Sequence, residues 1–215
     1  DVSTSMLAED LKPNRLEAAK DVAAEFINGR PNDNIGITLF AGETFTQCPL
    51  TVDHAVLLDM IHNIKCGLIT DGTAVGMGIA NAVTRLKDSK AKSKVIILLT
   101  DGTNNKGDIS PMTAAEIAKS FGIRVYTIGV GTNGMAPYPY PVGNTVQYVS
   151  MPVEIDEKTL TEIAGTTDGN YFRATSNSKL KEVYEEIDKL EKTKLNVKEY
   201  SKRDEEYHWF ALAAF

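Results

Sequence analysis

The sequence predicts an α/β fold: a doubly wound, mainly parallel central sheet flanked by helices. Three observations predict it. Val95-Ile96-Ile97-Leu98-Leu99 is an unbroken run of β-branched residues and leucine, the pattern of a parallel strand buried on both faces. Strand-like and helix-like segments alternate along most of the chain, as βαβ units do. The 215 residues, 42% hydrophobic and 24% charged, suit one α/β domain with its own core.

Taken in order, Leu16, Ala19, Ala23, Phe26 and Ile27 recur at helical spacing, and Pro31-Asn32-Asp33-Asn34 breaks that helix. Ile35–Phe40 is a β-like run. Thr44–Leu50 is expected to pair with it across Ala41-Gly42-Glu43. Asp53 is placed to cap a helix whose inner face is Leu57, Ile61 and Ile64. A loop from Lys65 to Gly72 follows, then a helix marked by Val75, Ile79, Ala82 and Leu86.

After the buried strand, Ser110-Pro111 signals a helix start and Gly122 its stop. Arg124–Val130 reads as the next strand. Residues 131–154 are rich in Gly, Pro and Tyr and read as a long excursion loop, with Met135, Pro137, Tyr138, Pro139, Tyr140 and Pro141 as candidate contact residues. A short helix near 156–164, a strand near 170–175 and a helix from Asn177, as cap, to about Lys192 complete the pattern. The organisation is one domain over 1–195 and a C-terminal extension over 196–215.

The net charge of −6 argues against a nucleic-acid partner, which calls for a basic face. Cys48 and Cys66 have no CxxC spacing, so zinc is not expected; they read as thiols, with a disulfide open in an oxidising compartment. No apolar run reaches the ~18 residues a membrane span needs. The apolar end Trp209–Phe215 is read as leading toward a membrane helix truncated here.

Three short segments carry chemistry. They are Asp1-Val2-Ser3-Thr4-Ser5, a DxSxS pattern; Gly72-Thr73; and Asp101-Gly102 at the end of the buried strand. Each alone reads as a cap or a turn. Together they place carboxylates and hydroxyls just after strands or just before helices, where they can converge on one edge of the sheet. Asp1, Ser3, Ser5, Thr73 and Asp101 form an all-oxygen donor set for a hard divalent cation, Mg²⁺ first, with Mn²⁺ or Ca²⁺ as substitutes. Asp71, Asn104, Asn105 and Asp108 flank the set as rim or loop residues. His54, His62 and His208 are scattered and read as structural or exposed.

As a triple, these segments resemble the metal-ion-dependent adhesion site of von Willebrand factor type A and integrin I domains. The stretch DVSTSMLAEDLKPNR and the loop Thr70-Asp71-Gly72-Thr73 resemble more closely the bacterial Bat, or aerotolerance, family, of the Bat-A and Bat-B kind in Bacteroides-like bacteria. The resemblance implies direct coordination by Ser3, Ser5 and Thr73, with Asp1 and Asp101 acting through water. It implies a membrane-anchored protein whose A domain faces the periplasm, with a neighbourhood of other Bat proteins and MoxR-type ATPases. It also implies a hydrophobic strand ahead of the first motif aspartate, and here nothing precedes Asp1. The tail His208–Phe215 is a candidate for that slot. The Asp1 amino group is expected beside the metal position as a competing positive charge, weakening metal affinity.

Three function classes follow. A metal-dependent, non-catalytic binding module expects a partner protein offering an Asp or Glu. A metal-free assembly domain is the alternative. A Mg²⁺-dependent phosphoryl-transfer enzyme is the third, but haloacid-dehalogenase-type chemistry needs an aspartate where Ser3 stands, and no positioned base can be named.

Overall fold

The computed structural model describes residues 1–143 and 145–200, with side chains described through 192. Its elements are α1 (Arg15–Asn28), β1 (Ile35–Phe40), β2 (Thr44–Thr51), α2 (His54–His62), α3 (Val75–Leu86), β3 (Lys94–Thr100), α4 (Pro111–Ser120), β4 (Ile123–Val130), β5 (Met135–Val142), β6 (Thr145–Pro152), α5 (Glu157–Thr166), β7 (Tyr171–Ala174) and α6 (Asn177–Tyr200). A 3-10 turn, Thr4–Leu7, precedes α1.

The parallel part of the sheet has the order β3-β4-β7, and β1 pairs antiparallel with β2. Helices cover both faces. On one side Ile79 and Val83 of α3, Ala115 of α4 and Ile163 of α5 pack on Ile96, Leu98 and Val125. On the other, Val22 of α1 and Leu180, Tyr184 and Ile187 of α6 pack on Tyr126 and Ile128. Burying each such aliphatic side chain stabilises the fold by about 1.5–3 kcal/mol.

Caps begin the helices where polar residues precede apolar periodicity. Asn14, Asp53, Ser110 and Asp156 each accept a first-turn N–H, and Pro111 follows Ser110 at the first helical position. The last helix differs from expectation. Ser176 Oγ accepts from Lys179 N, so Ser176 holds the cap position. Asn177 instead exchanges two hydrogen bonds with the Lys12 backbone, tying α6 to the loop before α1.

Two further expectations change. Residues 135–152 are not a loop: β5 and β6 form an antiparallel hairpin, Met135 opposite Pro152. And β4, not β3, is the strand buried almost throughout. In β3, Ile96 and Leu98 are buried, but Val95, Ile97 and Leu99 are only half-buried. The reason is a cavity of about 910 Å³ between β1 and β3, flanked by Leu16, Ala23 and Ile27 of α1 and by Ile79 and Leu86 of α3. At the carboxyl ends of the two strands, Val2 N–H donates to Phe40 O at 2.8 Å and the Asp1 amine to Leu99 O at 3.2 Å. Residues 1–2 thus bridge β1 and β3, and the gap behind them lies where the sequence reading expected a missing strand. The proposed occupant, His208–Phe215, lies outside the described residues, as does most of the 196–215 extension. No helix among the described residues is long and apolar enough to cross a membrane.

Candidate metal centre

All three polar segments meet at the carboxyl ends of the strands. Asp1 and Val2, bonded to the ends of β3 and β1, are followed at once by the 3-10 turn, which brings the Ser3 and Ser5 hydroxyls together. Their oxygens are 3.0 Å apart. Ser5 Oγ also donates to Asp101 Oδ1 at 2.7 Å. The Asp1 carboxylate is held on both oxygens, by Ser3 N at 2.9 Å and by the buried Thr100 hydroxyl at 2.6 Å.

Thr73 reaches the same place from the far side. Gly72 has φ +130°, a conformation that only glycine adopts without strain, and it turns the chain into α3. Asn105 Oδ1 accepts from Thr73 N at 2.9 Å, and a side chain at Gly102 would begin 3.4 Å from Thr73 Oγ1. Asn104 Oδ1 accepts from Gly76 N. Asn104 and Asn105 therefore do loop work, bracing the Gly72-Thr73 turn against the end of β3. Asp71 accepts from both the Thr4 backbone N–H and the Thr4 hydroxyl, at 3.0 and 2.8 Å, and so ties the second segment to the first. Those bonds outweigh its partial burial and hold its carboxyl below the ordinary aspartate range.

The donor chemistry fits a hard cation. Ligands about 2.1 Å from an octahedral ion stand ~3.0 Å apart along an edge, the separation of the two serine oxygens. Among the described residues no cluster of three or more His, Cys, Asp or Glu side chains is arranged to hold a metal. An ion here would rest chiefly on hydroxyls, which neither soft nor imidazole-seeking metals prefer.

The Asp1 nitrogen donates to Leu99 O at 3.2 Å. The positive charge built into the centre is Arg15, a residue for which sequence reasoning found no role. Its Nη1 donates to Asp101 Oδ2 at 2.7 Å, and Nε and Nη2 fork onto Asp10, each at 2.7 Å. The helical spacing begins at Leu16 and gives no sign that Arg15, the first residue of α1, reaches back over the strand ends.

Cys48 and Cys66 are free thiols. Burial, then the Asp101 charge, pushes the Cys66 thiol up to about 11, and its Sγ donates to Ser3 O at 3.4 Å. His54 lies elsewhere, bonded to Asp33 O.

The von Willebrand factor type A domain model matches residues 1–186. The chain belongs to that family. This A domain is 34% identical to BatB from Bacteroides thetaiotaomicron, with 89% of this chain and 96% of that one covered at a TM-score of 0.77. It is 32% identical to an aerotolerance-related membrane protein from Bacteroides fragilis, covering 88% and 94% at a TM-score of 0.76. A UPF0353 protein of Nocardia farcinica is 32% identical over 206 residues. The A domain spans about three fifths of the length of the curated relatives it matches, 60% in that case.

Proposed function

We propose that this A domain is a non-catalytic binding module that holds one Mg²⁺-type cation and uses it to grip a carboxylate of a partner protein. The observation that carries the reading is the Ser3–Ser5 hydroxyl pair, 3.0 Å apart, with Ser5 bonded to Asp101. Ser3, Ser5 and Thr73 would hold the ion directly, and Asp1 and Asp101 through water. When bound, the ion supplies a positive charge that an external Asp or Glu can meet. Because the hydroxyls are neutral, little of that charge is cancelled by the protein itself.

Similarity to the two Bacteroides proteins, one described as an aerotolerance-related membrane protein, supports a membrane-anchored parent linked to aerotolerance; a role in stress response and a periplasmic face for this domain belong to the same proposal. Other Bat proteins and a MoxR-type ATPase are the partners to try first. The β5–β6 hairpin is the surface beside the site best suited to specificity. Residues 135–152 carry no charged side chain, and Met135, Tyr140, Val146, Tyr148 and Met151 are exposed. Glu9 joins the hairpin to the motif loop, its N–H donating to Pro137 O and its carboxylate accepting from the Tyr148 hydroxyl.

One observation favours a second reading. Asp101 already has a cation, Arg15, and a domain that needs no metal would look the same there. Mg²⁺ titration calorimetry on the wild-type chain separates the two. Saturable one-site binding supports the adhesion-type site, and its absence leaves a metal-free assembly module.

A further inference from the structure

Arg15 is 3% exposed, and its guanidinium makes three charge-assisted bonds. Burying an arginine costs several kcal/mol unless its charge is met, and the bidentate pair with Asp10 already meets it. Asp10 is fixed in turn by the Thr132 N–H at 2.7 Å and the Leu11 N–H at 3.2 Å. Gly131, at φ +141°, leaves the guanidinium its room: a Cβ there would stand 2.9 Å from Nη2. The third bond, to Asp101 Oδ2, is therefore more than charge satisfaction requires. With Ser5 on Oδ1, it leaves the Asp101 carboxylate held at both oxygens.

We propose that Arg15 is a positioning residue of the metal centre: with Ser5 it fixes the Asp101 carboxylate and offsets its charge, so that a cation on the hydroxyls keeps its charge for the partner's carboxylate. This rests on the metal reading above. Free of the guanidinium, Asp101 would be an unshared anion beside the ion, able to replace a water on it. The cation would then be held more tightly by the protein and offer less to a partner.

The test uses Mn²⁺ as probe on the full 215-residue chain. Titration calorimetry gives affinity, and water-proton relaxation counts exchangeable waters on the bound ion. Arg15→Gln is expected to bind Mn²⁺ about tenfold more tightly, equivalent to ~1.4 kcal/mol, with about one exchangeable water fewer than wild type. Asp10→Asn breaks the same buried pair but leaves Arg15 on Asp101, so it should show neither change. A purely structural role would weaken both variants alike. Should Arg15→Gln fail to fold, the double variant Asp10→Asn/Arg15→Gln, which leaves no uncompensated charge at Asp10, carries the same expectation against Asp10→Asn. Unchanged or weaker Mn²⁺ binding with the wild-type water count overturns the positioning role and leaves the metal reading standing. No Mn²⁺ binding by wild type overturns both.

Discussion

At the scale of single residues, the centre depends on how few atoms hold each donor. Asp71 touches no proposed ligand, yet it grips Thr4 between Ser3 and Ser5 by two hydrogen bonds. Asp71→Ala is expected to loosen that turn and lower Mg²⁺ affinity roughly tenfold, the usual effect of removing an outer-shell partner. Calorimetry reads the change directly. Gly131→Ala should destabilise the fold by about 1–3 kcal/mol in urea unfolding, because its methyl would press on the buried guanidinium. The approach of Ser3, Ser5 and Asp101 to one another, with Asp1 on Thr100 and Thr73 beside Gly102, was legible in the sequence, because each residue borders a strand end or a helix start and those positions share one edge of the sheet. Arg15 was not legible. Its partner Asp10 lies five residues back, a spacing with no meaning on a helix, and the room for the guanidinium is left by Gly131, far away in the sequence.

At the scale of elements, caps and apolar periodicity located most helices, since Asp53, Ser110 and Pro111 act locally. The β5–β6 hairpin escaped because proline argues against a strand. Pro137, Pro139 and Pro141 occupy alternate positions, and Pro137 O accepts from Glu9 N on the side away from β6. Alternate residues of a strand present their backbone groups to the same side, so all three missing N–H groups face outward and the β6 ladder loses no donor. The middle of α6 is anchored by a feature equally hidden from periodicity. Glu191 accepts from the Tyr126 hydroxyl at 2.6 Å, from Ser93 Oγ at 2.9 Å and from Arg124. Glu191→Gln should cost about 3 kcal/mol in urea unfolding, since it strands Arg124 half-buried without its counter-ion.

At the scale of the whole molecule, the same carboxylate gives stability a pH dependence. Burial works to raise the Glu191 carboxyl, but the Tyr126, Ser93 and Arg124 bonds outweigh it and hold it below its ordinary 4.5. A depressed carboxylate contributes stability that is fully present above 4.5 and is lost as pH falls through the lower, folded-state value. Thermal midpoints should therefore drop below pH 4.5, and the drop should be smaller in Glu191→Gln. The split sheet makes a second prediction at this scale. The 910 Å³ gap between β1 and β3 is lined by strand and helix residues that a further apolar strand would cover. Joining such a strand ahead of Asp1 should raise the thermal midpoint by on the order of 10 °C, given 2–4 °C per kcal/mol for a domain of this size. It should also strengthen metal binding, because Asp1 and Ser3 would then hang from a strand paired on both sides.

The most direct test of the account is Mg²⁺ titration calorimetry on the wild-type chain beside Asp101→Ala, which leaves Arg15 its bidentate pair with Asp10. The account predicts saturable binding of one ion to wild type and none to the variant. Absence of binding by wild type, with an apolar strand joined ahead of Asp1 as well as without it, or binding that survives Asp101→Ala unchanged, would contradict it.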